Sequence, residues 1–89
     1  MSYRIIFESN FEQDIVVIKQ SGNKSLLKKI EQLLSELEIH PKTGTGKPEQ
    51  LKHELTGYWS RRLDKKNRLI YQIFDDKVLV VVISALGHY

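Results

Sequence analysis

After a short opening strand the apolar residues of this chain change their spacing, and that change limits the folds open to it. From residue 11 to residue 37 they recur at helical intervals, and from residue 59 onward they alternate or run continuously, as strands do. Phe11, Ile15 and Ile18 share one side of a helix predicted from Ser9 to about Gln20, with Ser9-x-x-Glu12 as a capping box. After Ser21-Gly-Asn23, the residues Leu26, Leu27, Ile30, Leu33, Leu34 and Leu37 fall on one stripe, and Lys28, Lys29, Glu31, Glu36 and Glu38 fall elsewhere. This is a second amphipathic helix. Its stripe is too short for a coiled coil and reads as a core face.

Ahead of the helices, residues 3–8 alternate with Tyr3, Ile5 and Phe7 on one face of a strand. Pro41 and the run Gly44-Thr-Gly46-Lys47-Pro48 end the second helix and predict a loop. Trp59–Leu63 and Arg68–Phe74 then read as strands joined by Asp64-Lys-Lys-Asn67. Asp75-Asp76-Lys77 marks a further turn, and the apolar, β-branched run Val78–Ala85 predicts a last strand covered on both faces. The order is β-α-α-β-β-β. With no repeat or interdomain linker, residues 1–89 make one domain. The expected class is α+β, with two N-terminal helices on one face of a small, twisted, mainly antiparallel sheet.

Strand alternation also sorts the polar residues. Leu69, Tyr71 and Ile73 fit beneath the helices, which leaves Arg68, Ile70 and Gln72 on the other face. In the preceding strand Trp59, Arg61 and Leu63 share one face, and Ser60 and Arg62 the other. Arg62 and Arg68 are therefore expected to converge.

Charge narrows the function. Residues 1–40 carry five basic and six acidic side chains, whereas residues 41–89 carry nine and five. A local basic patch attracts phosphates, so nucleic acid is a plausible partner. Charge alone fits a solvated surface equally well, and the chemistry of individual residues has to decide. There is no Cys, which excludes disulfides and thiolate chemistry. No segment approaches the roughly 20 apolar residues of a membrane helix, so no membrane association is expected. The N-terminus lacks an export signal pattern, and the expected location is the cytoplasm.

Cleaving RNA without a metal requires a base for the ribose 2′-hydroxyl, cations for the charge that develops on phosphorus, and an acid for the departing 5′-oxygen. The chain offers all three. Glu49, in a Pro-flanked loop between Lys47 and Lys52, is the candidate base. Arg68 provides a planar, permanently charged donor for phosphate, with Lys47, Lys52, Arg61 and Arg62 as further substrate-binding cations. His88, whose ordinary pKa lies near neutrality, is the candidate acid, with Tyr89 beside it to stack or donate. No cofactor or metal is expected, because His40, His53 and His88 have no ligand spacing and no thiolate or carboxylate cluster completes a site. The glycine-rich loop lacks the spacing of a nucleotide-binding loop, and no nucleophile elbow is present.

Taken together, these residues resemble a known family. The run Gly46-Lys47-Pro48-Glu49-x-Leu51-Lys52-His53-x-Leu55-x-Gly57-Tyr58-Trp59-Ser60-Arg61-Arg62, then Arg68-Leu69-Ile70-Tyr71 and finally His88-Tyr89, is similar to YoeB-like toxins of the RelE/ParE superfamily. The likeness is strongest over residues 44–89 and holds at the level of element order before that. It implies a RelE-like fold and a ribosome-dependent endoribonuclease that cuts mRNA in the A site, with Glu49 as base, Arg68 as phosphate-stabilising arginine, His88 as acid and Tyr89 as terminal tyrosine. Lys52 and Arg62 match the family's supporting basic residues. Asn67 stands where many relatives carry a histidine, and Leu86-Gly87 where relatives often have larger or polar residues.

The same resemblance implies a cognate, YefM-like antitoxin that masks Glu49 and the arginines. It implies contact with operator DNA only through the antitoxin complex, and homodimers are known in the family. The competing class is a non-catalytic binding module of the same fold, such as a ParE-like gyrase inhibitor or an antitoxin-bound transcriptional co-repressor. Such gyrase inhibitors generally lack the set of base, arginine and histidine that this chain retains.

Overall fold

In a computed structural model that describes residues 2–87, β1 (Arg4–Phe7) leads into α1 (Ser9–Ser21) and α2 (Lys24–Ile39). Next come β2 (Glu49–Gln50), β3 (Trp59–Arg62), β4 (Arg68–Phe74) and β5 (Leu79–Ser84). The strands form one sheet in the order β1-β5-β4-β3-β2, with β1 parallel to β5 and every other pair antiparallel. The α+β class and the mainly antiparallel sheet agree with the sequence. The addition is β2, because the loop carrying Glu49 pairs with β3 at its far end.

Local chemistry explains the helix ends. α1 does not use the expected capping box. Ser9 is already helical, Glu8 is the cap residue and no side chain caps the turn. Gly22 ends the helix at φ 73°, a left-handed conformation that costs glycine little, and its N–H donates to the Lys19 carbonyl. Asn23 then caps α2, its Oδ1 accepting from Leu26 N at 3.1 Å. Both apolar stripes face the sheet: Phe11, Ile18, Leu26, Ile30, Leu33 and Leu37 are buried in one cluster with Leu69, Tyr71, Val80 and Val82. Burying each such side chain contributes about 1.5–3 kcal/mol.

Among the described residues the other sheet face carries no helix, and this corrects one expectation. In β5, Val80 and Val82 are buried but Leu79, Val81 and Ile83 are only partly so, and the strand is therefore fully covered on one face alone. Ile6, opposite Val81 on β1, likewise stays 41% exposed, whereas Phe7, opposite Val82 on the helix face, stacks on Phe11 with ring centroids 5.2 Å apart. Between Ile70 and Tyr71 the ladder with β5 shifts, so that Ser84 rather than Ile83 lies opposite Ile70. Such a bulge bends the end of the strand and re-aims the side chains beyond it.

Candidate active site

The open face collects the polar residues by register. Glu49 lies opposite Ser60, Ser60 opposite Ile70, and Arg62 opposite Arg68. Cross-strand partners share a face, so Glu49, Ser60, Arg62 and Arg68 stand together while Leu69 and Tyr71 face the helices. Arg68 Nη1 is 2.9 Å from Glu49 Oε1, with a longer contact of 3.4 Å to Ser60 Oγ. The arginine side chain is 20% exposed and the carboxylate 56%, so a seated cation holds a reachable anion. A pair this open to water is worth at most about 1 kcal/mol, little enough for an incoming phosphate to replace it.

Arg61 is not part of this site. Alternation points it to the helix face, where it is fully buried and its donors are taken up. Nε donates to Tyr71 Oη at 3.1 Å, Nη1 to Glu36 Oε1 at 2.9 Å and the Thr45 carbonyl at 3.3 Å, and Nη2 to the Thr43 carbonyl at 2.7 Å. Nη2 also donates to the His40 carbonyl. Tyr71 Oη in turn donates to the Pro41 carbonyl at 2.9 Å, and Thr45 N donates to Glu36 Oε1 at 2.8 Å. One buried guanidinium thus gathers the loop after α2 and ties it to the sheet. Burial pushes the Glu36 carboxyl up, but hydrogen bonds from Thr45 and Arg61 and the Arg61 charge outweigh it and leave the pKa lowered. Burial raises the Tyr71 hydroxyl against the opposing Arg61 charge.

From that anchor the loop runs to Glu49 under tight constraint. Arg62 N donates to the Gly46 carbonyl at 2.7 Å, and a Cβ at Gly46 would lie 2.8 Å from the Arg62 carbonyl oxygen, so only glycine allows the approach. Lys47 comes next at φ 51°, left-handed for a residue with a side chain, at a cost of roughly 1–2 kcal/mol. Pro48 then leads into β2.

Beyond the Glu49–Arg68 pair, Lys47 and Arg62 are exposed on the rim of an open groove of about 490 Å³. Lys52 is exposed just past β2, where it precedes a short helical turn. Among the described residues, Lys47, Lys52 and Arg62 form no ion pair. The same residues contain no group of side chains able to hold a metal.

The segment that leads to His88 and Tyr89 is fastened at three points. Asp14 Oδ2 on α1 accepts from Ala85 N at 2.9 Å and Leu86 N at 3.3 Å. Asn67 Oδ1 accepts from Gly87 N at 3.0 Å, and Arg68 N donates to the Gly87 carbonyl at 3.0 Å. Gly87 therefore lies beside the Arg68 backbone, past the end of β5. The candidate acid His88 and the neighbouring Tyr89 lie outside the described residues. Sequence reasoning misses Asp14 and Asn67: their partners are distant in the chain, and only the Asn67 departure from the family hints at a role.

The chain matches the family model described as the YoeB-like toxin of bacterial type II toxin–antitoxin systems over residues 7–89. It is 42% identical to the toxin YoeB of Streptomyces coelicolor over 86 residues, which is 97% of this chain and 99% of that one. Among solved structures it is similar to the YoeB dimer from Staphylococcus aureus, with TM-score 0.84, 34% identity and full coverage of both chains. It is also similar to the YoeB–YefM complex of that organism, with TM-score 0.82, 36% identity and full coverage of both chains.

Proposed function

This chain belongs to the YoeB-like toxins of bacterial type II toxin–antitoxin systems, and from that membership we propose that it is a metal-independent endoribonuclease that cuts mRNA in the ribosomal A site and so stops translation. The observation that carries the proposal is the Glu49–Arg68 pair at 2.9 Å on an open, basic sheet face. Glu49 takes the proton of a ribose 2′-hydroxyl, and the freed oxygen attacks the adjacent phosphorus. Arg68, already seated beside the base, turns its donors to the oxygens that gain charge. The bond to the 5′-oxygen breaks, leaving a 2′,3′-cyclic phosphate on one fragment and, after protonation, a 5′-hydroxyl on the other. His88 supplies that proton and Tyr89 braces the substrate. Lys47, Lys52 and Arg62 hold the strand by its phosphates.

The partners accord with the same reading. A YefM-like antitoxin covers the basic face, operator DNA is met only through that complex, and the toxin forms homodimers. The YoeB–YefM complex and the YoeB dimer of Staphylococcus aureus support the antitoxin and the homodimer by likeness.

The test is induction of the unsubstituted chain and of Glu49→Gln in growing cells, with primer extension on a reporter mRNA. Discrete cuts within translated codons, lost in a folded Glu49→Gln with a rate reduction of about 10²–10⁴, are the expected result. Intact mRNA with DNA damage would replace the proposal by gyrase inhibition, and intact mRNA without damage by a silent binding module.

A further inference from the structure

A second basic feature borders the Glu49–Arg68 pair. Where α2 passes the β3–β4 hairpin, the groove of about 490 Å³ is walled by Lys29, Lys47, Arg62 and Lys65. Lys47 and Arg62 connect it to the cutting pair, since Arg62 lies opposite Arg68 and Lys47 precedes Glu49 by two positions. Lys29, from the helix, and Lys65, from the hairpin, approach from outside the sheet ladder.

Among the described residues none of the four cations forms an ion pair, and they outnumber the one acid that lines the groove. Asp64 is the single acid lining the groove among those residues, and its carboxylate is spent on its own turn. Oδ1 accepts from Lys66 N at 2.8 Å and Asn67 N at 2.7 Å, and Oδ2 from Asn67 Nδ2 at 3.1 Å. The floor is bare backbone at Gly46, where a side chain would collide with Arg62. Lys47 is held on that rim in a left-handed conformation that persists only because the surrounding loop enforces it.

We infer that this groove binds a second backbone phosphate of the same RNA strand, next to the one being cut, with Lys29 and Lys65 as its own ligands. The strand's identity rests on the nuclease reading; the demand for an anion does not. An acidic peptide fits less well. A segment that orders on binding has to bury apolar surface, and the one apolar side chain lining the groove, Leu63, is already 8% exposed at its place in the core.

The experiment titrates Lys29→Gln, Lys65→Gln and the double variant, each checked for folding by circular dichroism, with a short single-stranded RNA made uncleavable by 2′-O-methylation. Single-stranded DNA of the same sequence and a poly-glutamate peptide serve as parallel probes. The double variant is expected to bind RNA and DNA about tenfold more weakly near physiological salt, with a log–log salt dependence shallower by about 0.7, the contribution of one phosphate contact on a single strand. Cleavage of unmodified mRNA on programmed ribosomes should show a raised KM with kcat unchanged. Affinity and salt dependence equal to the unsubstituted chain, or a loss confined to the peptide or to DNA, would overturn the inference. Glu49→Gln in the cleavage assay separates the two readings. If it still cleaves, the base assignment fails, while the groove stands or falls on the lysine variants alone.

Discussion

Arg62 and Arg68 lie directly opposite each other on the β3–β4 ladder, two like charges in adjacent register positions on one open face. Such a juxtaposition is destabilising by up to about 1 kcal/mol. Among the described residues it is relieved on one side only, by Glu49 against Arg68. An anion placed between the arginines therefore stabilises the fold as well as binding to it. Arg62→Gln should leave the melting temperature unchanged or slightly raised and remove part of the thermal shift produced by RNA. A clear loss of stability in differential scanning fluorimetry would contradict this.

Arg68→Lys keeps the charge but not the planar fork. A single ammonium cannot hold Glu49 and a phosphate oxygen together in the geometry that the guanidinium offers. The cleavage rate should fall about 10²-fold or more, with stability nearly unchanged. A single-turnover assay of RNA cutting measures it, and near-normal activity would remove Arg68 from the chemistry.

Arg61→Ala should be among the most damaging single changes in the chain. It strands the Glu36 carboxylate and the carbonyls of His40, Thr43 and Thr45, which share one buried guanidinium. The expected cost is about 3–5 kcal/mol in urea unfolding. A cost below about 1 kcal/mol would show that the loop carrying Glu49 is held by other means.

The acid limb of stability should carry the signature of Glu36. Its carboxyl is held below the ordinary value of 4.5 in the folded protein, so folding favours the ionised form. That contribution is complete above the unfolded pKa and disappears as pH falls through the lower folded value. Glu36→Gln should flatten the decline measured by urea unfolding on going from neutral pH into acid. A variant that loses stability as steeply as the unsubstituted chain would assign the effect to Asp64 and Asp75, whose pKa values are also lowered.

Asn67→Ala and Asp14→Ala each cut fastenings of the segment ahead of His88. Each should cost about 1 kcal/mol, and amide exchange at Leu86 and Gly87 should quicken more than at Val82. If His88 is the acid, kcat should drop further than KM rises, since a misplacement of about 1 Å can cost ~100-fold in rate. Unchanged kcat with faster exchange would detach the tail's order from the reaction.

Much of the architecture was legible in the sequence because it is periodic. The stripes through Phe11–Ile18 and Leu26–Leu37 and the alternation through Leu69 and Tyr71 predict the faces that the core uses. The same alternation predicts that Arg62 and Arg68 meet. What escaped was non-periodic. β2 is too short to carry a pattern, and Glu49 joins the sheet only through a loop stitched down at Gly46. Counting charges put Arg61 with its neighbour Arg62, although one step along a strand separates a buried staple from an exposed cation. The shift opposite Ile70 and the bond from Ala85 to Asp14 join residues that no local window contains together.

The parallel pairing of β1 with β5 has a consequence for synthesis. Arg4 finds its partner in Leu79, so the strand made first must wait for the strand made last. Until then α1 lacks the strand it packs on, β1 and β4 both present unfilled edges, and closing so long a loop is the slow part of folding. A nascent chain that ends before β5 has no finished core on which to mount its charges. Translation halted before β5 therefore leaves a fragment without the folded face that carries Glu49 and Arg68.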